Sequence, residues 1–121
     1  MFNFTLERGD ILEKIFQEKV FKVPYFLFTD KYKKLSMNSK MLYGVLFTCL
    51  INKFQKVEDE NGDSSSFRDK AGIFVDVQIS RLASVLCLKE NSVYNLLTFL
   101  EIAGLIARVS DSGNIRVYFK M

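Results

Sequence analysis

The chain has 121 residues, 49% of them hydrophobic, a net charge of +3 and no histidine. This composition suits one compact domain with a sizeable core. Histidine is the commonest general base and metal ligand, and the other titratable residues do not form a group that suggests a catalytic site. We therefore expect no enzyme, metal site or cofactor. No apolar run reaches the roughly 18–20 residues of a membrane span. The start MFNFTLERGD is not a secretory signal, so we expect a cytoplasmic protein without membrane contacts.

Residues 1–34 are predicted to form an N-terminal helix and an aromatic arm. Apolar residues at helical spacing predict a helix over 11–21 with Asp10 as its N-cap. Pro24 predicts extended backbone in the following KVPYFLF. This arm is too apolar to remain in solvent, so we expect it to pack on its own domain or on a second copy. The candidate dimer contacts in the arm are Phe16, Phe21, Tyr25, Phe26 and Phe28.

Residues 35–121 are predicted to form the main domain, which begins with a long helix over about 36–54. Ser36 is a suitable N-cap for this helix, and its nearly continuous apolar surface predicts burial on several sides. Gly44 in mid-helix costs about 1 kcal/mol relative to alanine. We therefore expect another backbone to approach closely at that point.

The polar segment 55–72 has no periodicity and is predicted to be a mobile loop. Its Asp59, Asn61 and Asp63 have the first spacings of a calcium-binding loop. Such a loop needs Gly and Glu at the next key positions, where this chain has Ser64 and Lys70. We therefore expect a solvated linker and no calcium site.

The remaining segments have the order of a winged helix. IFVDV (73–77) predicts a strand, and QISRLASVL (78–86) predicts a helix capped by Asp76. A second helix is predicted from about Glu90 to Ala103, with Gly104 as the residue after its C-cap. The segments 105–109 and 115–120 alternate like two strands of a hairpin. The predicted fold class is α+β, mainly helical: a winged helix-turn-helix with an N-terminal helix and arm extension, in which 73–77 joins the final hairpin as a third strand.

Residues 79–100 fit the spacing of a helix-turn-helix. Cys87 falls in the turn, where glycine is commonest. We predict that both Cys87 and Cys49 are reduced core residues. The positions that should face the core receive small or apolar side chains, namely Leu82, Ala83, Leu86, Leu88, Val93 and Leu96.

The outward positions of the second helix suggest DNA recognition. Asparagine pairs with adenine, and threonine can meet a thymine methyl group. The candidate base-reading residues are Lys89, Asn91, Tyr94, Asn95 and Thr98. Candidate phosphate contacts lie in two basic zones, one before the long helix and one in the wing, and they are Lys31, Lys33, Lys34, Arg108, Arg116 and Lys120.

These polar residues could also be ordinary solvated surface. The apolar run LLTFL within the second helix leaves open a protein-interaction winged helix without DNA affinity. A winged-helix transcriptional regulator is a further alternative.

Two long stretches, 22–47 and 73–109, resemble the N-terminal domain of the RepA_N plasmid replication initiators. The resemblance covers about residues 14–110. It is carried by Pro24, Phe28, Tyr32, Lys33, Leu35, Ser36, Lys40 and the run Ala103, Gly104 and Leu105.

The resemblance to RepA_N initiators implies a winged-helix domain that binds double-stranded DNA at repeated origin sites of a plasmid or mobile element, usually as a homodimer. It also implies contacts with host replication proteins through a C-terminal region beyond Met121. The second helix departs from the family, whose reading helix typically carries several lysines.

Overall fold

The computed structural model describes residues 22–60, 62–111 and 114–120. Within these ranges the chain forms three α-helices and an antiparallel sheet with strand order β1-β2-β4-β3. The helices are α1 (Met37–Asp59), α2 (Ile79–Leu86) and α3 (Glu90–Ile102), and the strands are β1 (Arg68–Asp69), β2 (Gly72–Gln78), β3 (Ile106–Asp111) and β4 (Asn114–Phe119). The predicted mainly helical α+β winged-helix fold is confirmed, while the predicted helix over 11–21 lies outside the described residues.

Helix α1 begins as predicted, with the Ser36 hydroxyl accepting a hydrogen bond of 3.1 Å from the Ser39 N–H. It continues to Asp59, so the predicted end at residue 54 is wrong. Phe54 packs edge-on against Phe67, with ring centroids 5.7 Å apart, and this contact extends the ordered structure into the predicted loop. A short 3₁₀ helix (Ser64–Ser66) and β1 follow there. Both elements are too short to produce a helical or strand periodicity that could be recognised in the sequence.

The arm turns back on its own domain. Pro24 is extended as predicted, but Tyr25–Phe28 form a 3₁₀ helix, so the predicted extended backbone is wrong beyond Pro24. The Leu27 N–H donates to the Pro24 carbonyl at 3.2 Å, and this turn places Leu27 fully inside the core. Residues 22–28 therefore pack in cis on the same core as the main domain.

Gly44 marks the point where the arm crosses α1. A Cβ atom at Gly44 would lie 2.7 Å from Cγ2 of Val23, whereas the nearest arm backbone atom, the Lys22 carbonyl oxygen, would be 3.6 Å away. The close approach that we predicted is therefore made mainly by a side chain. One turn later, the Thr48 hydroxyl accepts a hydrogen bond of 2.8 Å from the Lys22 N–H.

The sheet is a three-stranded wing with one short added strand. β2 pairs with β4 through Val75 opposite Val117, and β3 pairs with β4 through Ile106 opposite Phe119. Side chains alternate between the two faces of a strand, so Val75, Val117 and Ile106 are buried beneath the helices. The hairpin follows α3 directly because Gly104, with φ of +78°, takes the left-handed conformation predicted for it.

The helix-turn-helix of α2 and α3 is confirmed. Leu82, Ala83, Val93 and Leu96 are buried, and Leu86 and Leu88 pack against the same core. Cys87 adopts the left-handed conformation at the turn, with φ of +57°.

Two further predictions are wrong, namely the N-cap of α2 and the burial of the two cysteines. The N-cap of α2 is Gln78, without a side-chain bond, because Asp76 lies within β2 and binds a side chain of β4. Cys49 and Cys87 are free thiols but are exposed rather than part of the core.

None of the described helices is long and apolar enough to cross a membrane.

Candidate nucleic-acid interface

Helix α3 presents one exposed stripe opposite its buried side. Residues spaced three and four apart lie on the same face of a helix. Val93 and Leu100 therefore define the buried side, and both are completely covered. The opposite side carries Asn91, Asn95, Thr98 and Ile102, all of them exposed. We call these four residues the outward stripe.

The run LLTFL belongs mostly to the core and forms no broad apolar surface. Leu96, Leu97 and Leu100 are 8%, 0% and 0% exposed. Only Phe99, beside the outward stripe, leaves a large apolar surface in solvent. The absence of lysines from α3 therefore leaves a stripe that is neutral and largely polar.

The wing touches one flank of the outward stripe through Arg108. Its Nε lies 2.9 Å from Oε1 of Glu101. Its two terminal nitrogens donate to the Tyr94 carbonyl at 3.4 Å and to the Thr98 hydroxyl at 3.2 Å. The guanidinium also lies 5.9 Å from the centre of the Tyr94 ring. Arg108 thus fixes the wing to α3, and its charge is partly offset by Glu101.

The basic segment before α1 lies against the other flank. Part of this segment and the C-terminal end of α3 form a groove of about 480 Å³, which is lined by Lys31, Tyr32, Lys34, Leu35, Ser36, Ser39, Phe99, Ile102 and Ala103. Lys31 and Lys34 line this groove, and both are exposed, as is Lys33 between them. Lys40 differs, because it is only 8% exposed and its Nζ lies 5.0 Å from the centre of the Phe28 ring.

The outer face of the wing carries a second charged cluster, formed by Arg116, Asp76, Asp69 and Tyr118. The Arg116 guanidinium donates to both oxygens of Asp76, at 2.7 and 3.0 Å, and to Asp69 at 3.2 Å. It also lies 3.8 Å above the centre of the Phe74 ring. The Tyr118 hydroxyl donates to Asp69 at 2.7 Å. We call these residues, with Phe74, the wing cluster.

The pKa values of the wing cluster follow from these contacts. The hydrogen bond from Tyr118, aided by backbone N–H groups and by Arg116, lowers the pKa of Asp69. The same bond to Asp69 raises the pKa of Tyr118. Hydrogen bonding to Asp76 is the main cause that raises the pKa of Arg116. The cluster is therefore a network of mutually satisfied charges.

The predicted base-reading residues do come together on α3, with one difference in burial. Lys89 is the N-cap residue of α3 and is exposed at the N-terminal end of the helix. Tyr94 is half-buried under Arg108 and packs on the core. Sequence reasoning passed over Ile102, which is 77% exposed. Its helical spacing from Asn91, Asn95 and Thr98 could have revealed it.

The remaining predicted residues are dispersed. Lys120 is exposed just after β4, and its N–H donates to the Leu105 carbonyl at 2.9 Å. Of the candidate dimer residues, Tyr25 is 86% and Phe28 is 52% exposed. Phe26 packs edge-on against both Tyr32 and Tyr43, with ring centroids 5.8 Å apart in each case. Phe16 and Phe21 lie outside the described residues.

A larger groove, of about 1020 Å³, lies between α1, α2 and the strands β2 and β4. Its lining includes Cys49, which is exposed as a residue but partly shielded in this groove, so that desolvation raises the pKa of its thiol while Arg81 acts in the opposite direction. None of the lining residues belongs to α3. This groove is therefore separate from the outward stripe.

Three solved structures are similar to this chain over most of its length. "Structure of Rep-DNA complex" has a TM-score of 0.64 at 21% identity, covering 91% of this chain and 81% of that chain. "N-Terminal domain of DNA binding protein" has a TM-score of 0.63 at 20% identity, with coverages of 99% and 85%. "Structure of MDR initiator" has a TM-score of 0.61 at 21% identity, with coverages of 91% and 83%. No protein-family model and no curated protein matches the chain. At these identities the likeness shows a shared fold.

Proposed function

We propose that this chain binds double-stranded DNA in a sequence-specific manner, as the N-terminal domain of a replication initiator. The observation that carries the proposal is the position of the outward stripe of α3. This stripe lies between the wing at Arg108 and the basic segment with Lys31 and Lys34. A helix enters the major groove most readily when phosphate-binding groups lie beside it.

The proposed contacts divide into two classes. Asn91, Asn95 and Thr98 contact base edges, because their side chains are exposed on one stripe. Lys89 lies at the N-terminus of α3, where the helix dipole adds to its attraction for phosphate. The other phosphate contacts in the proposal are Lys31, Lys33, Lys34 and Lys120. The proposal does not depend on Arg116, whose guanidinium is held in the wing cluster.

The similar structures support the more specific part of the proposal. One is described as a Rep-DNA complex and another as an initiator. We propose by analogy that the chain binds repeated origin sites of a plasmid or mobile element in the cytoplasm. In this proposal it is a binding domain and not an enzyme. The exposed Tyr25 and Phe28 rings support a homodimer formed through the arm. Contacts with host replication proteins through a further C-terminal region are part of the same proposal.

Selection from a random duplex library at physiological salt tests the proposal. The wild-type chain is compared with the double variant Lys89→Ala, Asn95→Ala. The control is Asn52→Ala, Lys53→Ala, which removes the same residue types from an exposed part of α1. We expect one enriched motif with the wild type and the control, and its loss with the α3 variant.

Each other result of this selection contradicts a defined part of the proposal. No enrichment with the wild type would reject sequence-specific binding. An unchanged motif with the α3 variant would show that another surface reads the DNA. A motif found at promoters and not at origin repeats would favour the transcriptional regulator of the same fold.

The groove beside α3 supports a second candidate function, which is protein assembly without DNA binding. Phe99 and Ile102 are 53% and 77% exposed at its edge, and exposed large apolar residues that cluster often mark interaction sites. Salt dependence separates the two candidates. Duplex binding weakens steeply with salt because counterions are released, whereas apolar assembly is maintained at high salt.

A further inference from the structure

Beyond its N-terminus, helix α3 has no positively charged side chain of its own that could contact the edges of DNA bases. From Asn91 to Ile102 the helix contains no lysine or arginine, although these are the side chains that most often pair with guanine. Arg108 reaches the helix from the wing, but its guanidinium contacts Glu101, Thr98 and the Tyr94 carbonyl. Within the part of the chain that the structure describes, the central part of this surface therefore lacks a cation that could pair with guanine.

The groups that the outward stripe does present match A·T base pairs. Among the described residues, the hydrogen bonds on this side of α3 involve Tyr94, Thr98 and Arg108, and not the amides of Asn91 or Asn95. Both amides are exposed. An exposed asparagine amide can form the bidentate pair that is typical for adenine, in which its oxygen accepts from the N6 amino group and its NH2 group donates to N7.

Thr98 presents a methyl group rather than a hydroxyl. Its hydroxyl donates to the Tyr94 carbonyl at 3.0 Å and accepts from Arg108 at 3.2 Å. Both contacts draw the oxygen toward the helix backbone and the wing. The exposed part of the side chain that is left for a ligand is therefore its methyl group.

Ile102 continues the same stripe with a second apolar contact. It follows Thr98 by four residues, which places the two side chains next to each other on one face. It is 77% exposed, so packing in the core does not account for a large apolar side chain at this position. The stripe from Asn91 to Ile102 spans about 16 Å at 1.5 Å per residue, which is at most about five base-pair steps of 3.4 Å.

From these observations we infer that α3 reads an A·T core, in which Asn91 and Asn95 pair with adenines while Thr98 and Ile102 contact the methyl groups of neighbouring thymines. The inference rests on the proposed function and names the base composition of its site. It also explains why the outward stripe carries no charge, because A·T base pairs can be read by side-chain amides and apolar groups without a positive charge. Affinity then depends on the lysines beside the helix.

Thymine-to-uracil replacement tests this inference on the selected duplex. Deoxyuridine keeps the hydrogen-bonding groups of thymidine and lacks only the methyl group, so each thymidine is replaced singly and the Kd is measured. For the wild type we expect about fourfold weaker binding at each of two neighbouring positions, which is the effect of one buried methyl-sized group. Other replacements should change the Kd by less than about twofold.

Paired variants assign the two positions to residues. Thr98→Ser removes the methyl group and keeps the hydroxyl that binds Arg108, whereas Thr98→Val does the reverse. We expect the uracil effect at one position to disappear with Thr98→Ser and to persist with Thr98→Val. At the neighbouring position, it should disappear with Ile102→Ala and persist with Ile102→Val.

The outcomes separate this inference from the proposed function. A selected motif with a G·C core would overturn the inference and leave sequence-specific DNA binding intact. Uracil effects that are absent, or that persist in both Thr98→Ser and Ile102→Ala, would overturn the assigned methyl contacts. No selected motif at all would overturn the proposed function, and the inference with it.

Discussion

From the sequence, the charged wing cluster looks better suited to bind a ligand than the uncharged outward stripe of α3. The contacts in the structure indicate the opposite. The wing cluster contains one arginine and two aspartates, but these groups bind one another at 2.7–3.2 Å. The outward stripe has no charged residue, yet Asn91, Asn95 and Ile102 are exposed. A charge that is already paired offers little to a ligand, whereas an exposed amide or methyl group remains available. Availability, and not charge alone, therefore identifies the candidate interface.

The largest effect on binding is expected from the outward stripe. In the double variant Asn91→Ala, Asn95→Ala, two base contacts are lost. Each such contact contributes about 1–3 kcal/mol of discrimination, so the affinity for the selected duplex should fall by at least about 25-fold. The measurement is fluorescence anisotropy, with Asn52→Ala as the control on α1. An unchanged Kd would remove these residues from the interface.

A smaller and more general effect is expected from the basic segment. Replacing Lys31, Lys33 and Lys34 with glutamine should weaken binding to every duplex equally. It should also reduce the slope of log K against log salt by about 2.7 per bound chain, at about 0.9 for each phosphate contact. Titrations at four salt concentrations measure this slope. The control replaces the exposed Lys53, Lys56 and Lys70, and an equal change in that control would mean that only net charge matters.

The wing cluster should affect stability and not binding. Arg116→Gln leaves Asp69 and Asp76 close together without their common cation, so the Tm should fall. The affinity for duplex DNA should remain within about twofold, because a paired arginine supplies little phosphate attraction. Arg68→Gln, on the neighbouring strand β1, is the control with the same change in charge. A loss of affinity without a change in Tm would indicate that Arg116 leaves the cluster to contact DNA.

The smallest effect is expected from the protonation of Asp69 at low pH, which should reduce the stability of the fold. Its pKa is lowered in the folded chain, mainly by Tyr118. Its contribution to stability is therefore complete above the ordinary aspartate pKa of about 3.9 and is lost as the pH falls through the lower folded value. The difference in Tm between the wild type and Asp69→Asn should be constant near neutral pH and should shrink below about pH 4. A difference that does not change between pH 7 and pH 3 would contradict this linkage.

The sequence by itself determined those features that depend on neighbours along the chain. Ser36 caps α1 because its hydroxyl reaches an N–H three residues later. Gly104 ends α3 because a left-handed residue is needed there. The spacing of Leu82, Val93 and Leu96 placed the core of the helix-turn-helix, and alternation placed the strands of the wing. Local periodicity and capping are properties of short segments, so they can be read without the fold.

The tertiary structure alone decided which side chains are available. Arg116 meets Asp69 across 47 positions of sequence and Asp76 across 40, and no local pattern specifies such pairs. Likewise, Leu27 and Tyr25 belong to one short aromatic segment, but the first is buried completely and the second is 86% exposed. Lys40 resembles its basic neighbours in sequence and is nevertheless covered by Phe28. These outcomes depend on packing between distant segments, since only packing determines which partner a side chain reaches and which side chains remain exposed to bind DNA.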